Sequence, residues 1–238
     1  MSRATLSFRV RVAPGAGVTA IEYPGTAGER LPATLILAHG AGANQHSDFM
    51  TRYAGGLAAR GLSVVTFNFL YTEQRRRAPD RPTALEACWR AVVEAVSQRI
   101  SPGTQLFGGG KSMGGRIASQ VAAADGADSP LAGLVFLGYP LHPAGRPDTR
   151  RDSHLPRIRI PMLFVQGSRD ALGSPRDVGP SLRRLGPAAQ LFTVDGGDHS
   201  FTVPKRWPVA QEDVDAQVQD AVRAWVSGVL QRTGGRKR

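Results

Sequence analysis

From about residue 34 onward the chain alternates two apolar patterns. Short, nearly continuous apolar runs occupy 34–38, 62–67, 104–109, 132–138, 162–167 and 190–194. Runs of this length, bounded by turn residues, read as strands buried on both faces. Most are separated by segments with apolar residues at helical spacing, at 47–60, 83–98, 113–124 and 175–185, and another such segment, 210–231, closes the chain. Buried strands alternating with amphipathic helices predict an α/β fold, a mostly parallel twisted sheet with helices on both faces. Upstream, Ser7–Val12 alternates polar and apolar residues, and Val18–Tyr23 is a second short β-like run beyond Pro14-Gly15. These predict a peripheral antiparallel pair. No internal repeat, low-complexity tract or linker breaks the pattern, so residues 1–238 are read as one domain.

The candidate chemistry centres on one strand-to-helix junction. Gly110-Lys111-Ser112-Met113-Gly114 is a G-x-S-x-G pentapeptide between an apolar run ending at Phe107 and the helical pattern from Met113. A strand that turns at once into a helix forces its middle residue into a strained conformation with the side chain outward. Strand and helix backbones then pass so close that positions two before and two after tolerate little side chain. Gly110 and Gly114 meet that demand, and Gly115 adds room for the helix. The serine hydroxyl is thereby presented at a helix N-terminus, where N–H groups favour a developing oxyanion. Gly108-Gly109-Gly110-Lys111-Ser112 also resembles the end of a phosphate-binding G-x-x-x-x-G-K-[ST] loop, but that pattern's first glycine falls on Gln105.

A serine nucleophile of this kind needs an acid and then a histidine downstream, each on a loop after an apolar strand. Met162–Gly167 is followed by Ser168-Arg169-Asp170, and Gln190–Val194 by Asp195-Gly196-Gly197-Asp198-His199. Asp170 is therefore the expected acid and His199 the expected base. Asp195 and Asp198 lie so close to His199 in sequence that they read as residues bonding their own loop backbone. Upstream, Thr34–Ala38 runs into His39-Gly40-Ala41-Gly42-Ala43-Asn44. The loop after this strand and the residue after the nucleophile supply the two oxyanion-hole N–H groups in such folds, which assigns them to Ala41 and Met113. His39 reads as a residue that orders the loop, not as a second base.

The elements HGAGAN (39–44), GGKSMGGR (109–116), FVQGSRD (164–170) and GGDHSF (196–201), at these intervals, resemble the small α/β-hydrolases of the dienelactone-hydrolase-like group. The similarity is closest to its branch named after a testis-expressed protein, and it runs from about Leu31 to Gly228. It implies the α/β-hydrolase fold and a serine hydrolase mechanism with no cofactor and no metal. True dienelactone hydrolases use cysteine where this chain has Ser112, so dienelactone cleavage is not implied. Many hydrolases insert a helical lid between the strands at 132–138 and 162–167. Here Pro140, Pro143, Pro147 and Pro156 disfavour a regular helix, which predicts an open site without a helical cap.

Composition changes this picture little. At 238 residues and 41% hydrophobic content the chain supports one large core. No stretch approaches the roughly 18 apolar residues of a membrane span, and Met1–Pro14 lacks the apolar segment of a secretory signal. The single Cys88 reads as a small core hydrophobe, in keeping with a reducing cytoplasm. A net charge of +11 raises nucleic acid as a partner. Yet the basic residues, nearly all arginines, are scattered, and no aromatics interleave them as a base-stacking platform requires. The Arg236-Lys237-Arg238 tail reads as a frayed terminus. Neither nucleic acid nor membrane is therefore expected, and the expected partner is a small ester or thioester.

Two loops on the expected active-site edge carry arginines, Arg75–Arg77 with Arg81, and Arg150–Arg151 with Arg157 and Arg159. They read either as solvated charge or as an electropositive rim for an anionic substrate. His46, His142 and His154 read as surface histidines, and Lys111 as a structural neighbour of the nucleophile. The competing function class is a non-catalytic interaction protein that keeps the fold. The strained turn argues against it, because binding alone does not need the strain.

Overall fold

The computed structural model describes residues 4–26 and 28–234. Met1–Arg3, Ala27 and the basic tail at 235–238 lie outside the described residues. The N-terminal run and its successor form a hairpin, β1 (Leu6–Ala13) and β2 (Ala16–Tyr23). The alternating remainder gives β3 (Ala33–Ala38), α1 (Asp48–Ala59), β4 (Ser63–Phe67), α2 (Leu70–Glu73), α3 (Pro82–Ser97), β5 (Gln105–Lys111) and α4 (Met113–Asp125). It continues through β6 (Gly133–Leu137), β7 (Met162–Gly167), α5 (Pro175–Leu185), β8 (Ala189–Val194) and α6 (Gln211–Gly234). The short helix α2 was not anticipated, because four residues are too few to display a helical period.

All eight strands join one sheet in the order β1-β2-β4-β3-β5-β6-β7-β8. β2 runs against both of its neighbours, and every other pairing is parallel. Both faces are covered, which is why the central strands read as continuous apolar runs. Within β3, Leu35 and Leu37 face a layer built with Tyr53 and Leu57 of α1 and Val218 and Val222 of α6. Ile36 and Ala38 face the opposite layer, with Leu85 and Trp89 of α3, Ile117 and Val121 of α4, and Val178 of α5. This two-residue alternation is the strand period expressed as two cores.

The segment between β6 and β7 holds only a 3₁₀ turn at Leu155–Arg157 and no helical insertion. The sheet therefore has no cap domain, and its carboxyl edge, where ligands gather in open α/β sheets, is uncovered by one.

β5 lies in the middle of the sheet and carries three successive glycines, Gly108–Gly110. A Cβ at Gly109 would overlap the Val135 carbonyl of β6, so glycine there allows the two strands to pair. Gly109→Ala should lower stability by about 3 kcal/mol or more, since neither strand can retreat from a two-sided core. Urea denaturation measures this, and a loss below about 1 kcal/mol would show that the strands part without penalty.

Candidate active site

Ser112 sits between the last residue of β5 and the first of α4, with φ 50° and ψ −114°. This left-handed conformation is strained for a residue with a Cβ. It persists because the backbones around it leave no alternative. A Cβ on Gly110 would stand 2.5 Å from the Ala38 carbonyl oxygen, and one on Gly114 would stand 2.7 Å from that of His39. A Cβ on Gly115 would meet the Gly110 carbonyl at 2.7 Å. The end of β3, the end of β5 and the start of α4 are thus in near contact, and Ser112 N–H is tied to the Leu137 carbonyl at 3.1 Å.

The three residues expected to act together are hydrogen-bonded in series. His199 Nε2 lies 2.9 Å from Ser112 Oγ. His199 Nδ1 lies 2.8 Å from Asp170 Oδ2. An ionised carboxylate only accepts, so Nδ1 carries the ring proton and Nε2 is free to accept from the serine hydroxyl. The Asp170 side chain is fully buried, and its second oxygen accepts the Leu172 N–H at 2.8 Å. Its loop is fastened to the histidine loop. Ser168 N–H donates to the Val194 carbonyl at 2.9 Å, Arg169 N–H to that of Gly197 at 2.9 Å, and Gly196 N–H to Ser168 Oγ at 2.8 Å. Asp198 does not reach the ring. Its Oδ1 accepts the N–H groups of Ser200 at 2.7 Å and Thr202 at 2.9 Å, which shapes the turn, and Asp195 is exposed.

The expected oxyanion donors lie beside this series. Met113 opens α4, so its N–H has no acceptor within the helix. Ala41 follows Gly40 in a turn closed by Ala43 N–H on the Gly40 carbonyl at 3.3 Å. Among the described residues no protein acceptor takes the Ala41 N–H. His39 orders the loop: its Nδ1 donates to the Gly40 carbonyl at 2.8 Å, and its Nε2 accepts the Phe69 N–H at 3.1 Å. Burial lowers the His39 pKa to about 4, which keeps it in this neutral tautomer at physiological pH.

Two histidines require correction. His142 and His154 are buried rather than on the surface, His142 with Nδ1 on the Pro143 carbonyl at 2.9 Å and His154 with Nε2 on Ser119 Oγ at 2.7 Å. The loop after β6 folds over α4 at His154 and against the loop after β7 at His142, whose N–H donates to the Leu172 carbonyl at 3.2 Å, and both contacts are long-range with no local signature. Gln166 was overlooked. Fully buried near the end of β7, it bonds both the N–H and the carbonyl of Tyr139 as well as the Gly173 carbonyl, joining the loops after β6 and β7. Its only signal was an amide inside an apolar run. In the arginine loops, Arg76 is paired with Asp80 at 2.6 Å and Arg150 with Asp152 at 2.7 Å. A cavity of about 530 Å³ between α3 and α4 includes none of Ser112, Asp170 and His199 in its lining.

The chain belongs to the α/β hydrolase domain family, whose model matches residues 32–227. Among solved structures it is similar to a lidless α/β serine hydrolase of Xanthomonas campestris. The two are 22% identical, with a TM-score of 0.71 over 94% of this chain and 96% of that one. An α-β serine hydrolase homologue of Coxiella burnetii matches at 20% identity and a TM-score of 0.71, over 93% of this chain and 96% of that chain. A dienelactone hydrolase of Anabaena variabilis matches at 20% identity and a TM-score of 0.68, over 92% and 97%. These likenesses carry the fold, and they agree with the lidless, dienelactone-hydrolase-like group that the motifs resemble. Among the described residues no helix is long and apolar enough to cross a membrane.

Lys111 ties the series together from behind. Only 8% exposed, it donates from Nζ to the His199 carbonyl, with the rings of Phe49 and Phe201 at 5.4 and 5.9 Å. Burial lowers its pKa from 10.5 to about 8 against the opposing pull of Asp170 and Asp198. Between those two values the unfolded chain holds a proton that the folded one has released, so stability rises with pH across that window. Wild type should therefore gain on Lys111→Met between about pH 8 and 10.5, with a slope of up to about 1.4 kcal/mol per pH unit. Denaturation curves of both proteins at several pH values test this, and parallel stability profiles would exclude a titrating buried amine.

Proposed function

We propose that this protein is a serine hydrolase that cleaves a soluble carboxylic ester or thioester through an acyl-enzyme on Ser112. The observation that carries this reading is the hydrogen-bonded series Ser112–His199–Asp170, at 2.9 and 2.8 Å, on a strained turn with its acid fully buried. His199 takes the proton from Ser112 Oγ as the oxygen attacks the carbonyl carbon, and Asp170 holds the ring and balances the imidazolium. The negative charge that develops on the carbonyl oxygen is met by the N–H groups of Met113 and Ala41, neither of which has an acceptor within its own helix or turn. Collapse of the tetrahedral species expels the alcohol or thiol, which receives the proton from His199. Water then repeats the cycle on the acyl-serine, with His199 as base and Ser112 as leaving group.

The serine distinguishes this site from the cysteine of true dienelactone hydrolases, so an ordinary ester or thioester is the proposed substrate. The open carboxyl edge favours small acyl groups, since a long chain needs an extended apolar trough. A non-catalytic binding protein would have no use for a buried carboxylate, an aligned imidazole and a strained serine in one series.

Ser112→Ala should leave the fold intact and lower turnover by several orders of magnitude, about 10⁶ by analogy with serine proteases. Labelling with a fluorophosphonate followed by peptide mapping checks the assignment, and label on a different serine would refute it. Asp170→Asn should lower kcat by about 10⁴ by reversing the tautomer of His199, whereas Asp198→Asn should act mainly through its turn and cost far less. Were the order of these two effects reversed in steady-state kinetics, the acid would be Asp198.

A further inference from the structure

Arginines near the site differ sharply in how their charge is met. In the loops of 75–81 and 150–159, Arg76 and Arg150 have carboxylate partners, while Arg75, Arg77, Arg81, Arg157 and Arg159 are exposed to water. Arg151 is partly buried, and so is Arg116 on α4, one turn beyond Ser112. Among the described residues neither has a carboxylate within 4.0 Å. Asp152, which neighbours Arg151 in sequence, is taken by Arg150, Arg184 and the Ser181 hydroxyl. Arg116 Nη1 reaches only the Gln120 amide oxygen at 3.1 Å, and its buried Nε has no partner.

A hydrogen-bonded network links the backbone carbonyls of the two arginines. Tyr139 O–H donates to the Arg151 carbonyl at 2.7 Å, and its oxygen lies 3.5 Å from His154 Nε2. That nitrogen bonds Ser119 Oγ at 2.7 Å, and Ser119 in turn donates to the Arg116 carbonyl at 2.6 Å. Burial lowers the His154 pKa to about 4, so the ring is neutral and adds no third positive charge beside the two guanidiniums. Burial first, and then the charge of Arg151, lower the pKa of Arg116, with Tyr139 and then Glu86 acting in opposition. Partly desolvated like charges without an acid between them are costly, and a bound anion relieves both costs at once.

The backbone that carries the pair is continuous with the candidate chemistry. Arg116 N–H closes the first turn of α4 on the Ser112 carbonyl at 3.0 Å. Tyr139 follows Gly138, where a Cβ would stand 3.3 Å from His199 Cε1. We infer that Arg116 and Arg151 form a subsite for an anionic group, a carboxylate or a phosphate, carried by the ester substrate alongside the bond that Ser112 attacks. The inference rests on the serine hydrolase reading for the identity of the reacting bond, but the anion site itself does not require turnover.

Two measurements test it separately from that reading. In the Ser112→Ala protein, titration calorimetry with glutarate and with inorganic phosphate should detect binding, and whichever binds more tightly identifies the anion. Arg116→Gln or Arg151→Gln added to that background should weaken binding by about tenfold or more, as expected for a charged hydrogen-bond partner. In the catalytic protein, kcat/KM for a glutarate monoester or a phosphoalkyl ester, divided by that for a neutral ester of equal length, should fall by a similar factor in either variant. Arg77→Gln should keep the wild-type ratio. Absence of anion binding to the Ser112→Ala protein, or equal losses from Arg77→Gln and Arg116→Gln, would overturn the subsite and leave diffuse surface charge. Arg151→Gln lies in a loop outside α4, so it decides the matter even if Arg116→Gln fails to fold. Failure of fluorophosphonate labelling with anion binding intact would instead remove the nucleophile and keep the subsite.

Discussion

The whole site hangs on the near contact of three backbones, the end of β3 at Ala38–His39, the end of β5 at Gly110 and the first turn of α4 at Gly114–Gly115. No side chain fits between them, so the chain turns within a single residue, and Ser112 absorbs the turn at φ 50°. The two-sided core makes this strain sustainable. β5 is held by β3 and β6 and roofed by Ile117 and Val121 of α4, and relaxing one dihedral would unpack both layers. The same contact brings the loop that carries Ala41 to the nucleophile, since a Cβ on the preceding Gly40 would stand 3.5 Å from Ser112 Cβ, and Met113 begins the helix there.

A second constraint keeps the imidazole in register. Lys111 and Ser112 are neighbours, and both bond to His199, one to its carbonyl and the other to its ring. The ring orientation is thus set from two sides, while Asp170 fixes its far nitrogen through a loop stitched to the histidine loop by backbone bonds. A lysine in so dry a place is costly in its charged form, which the shift in its pKa records. That cost is offset in part by the acceptor it satisfies, the His199 carbonyl on the candidate catalytic loop.

Much of this was legible in the residues themselves. Strand and helix periods placed every long element within a few positions, because burial on two faces leaves an unbroken apolar run and a one-sided helix leaves a stripe. The order of Ser112, Asp170 and His199 was readable because each sits at the end of such a run, and the geometry brings all three together. What escaped was set by contacts distant in sequence. Whether His154 is wet depends on Ser119 of α4, and whether Gln166 matters depends on Tyr139 and Gly173 in other loops. The pairing of Arg150 with Asp152 had a local cue, two positions away, but the isolation of Arg116 had none.

These facts together bear on how an enzyme without a helical cap could discriminate among substrates. A closing lid can exclude water and add contacts after binding, whereas an open edge must rely on groups already in place. Here the loop after β6 is braced by Gln166 from β7 and by Tyr139 and His154 against α4, so its shape is set before a substrate arrives. Within that braced loop and the first turn of α4, most fixed polar groups are already matched, and the exceptions are the guanidiniums of Arg116 and Arg151 and the N–H groups beside Ser112. In the proposed reading both exceptions present positive character to the same edge of the sheet. The second suits an oxyanion that exists only during reaction, and the first suits a charge that the substrate carries throughout. Selectivity in such a site would then follow from the spacing between a transient and a permanent negative charge, a distance that the first turn of α4 and the braced loop after β6 set together.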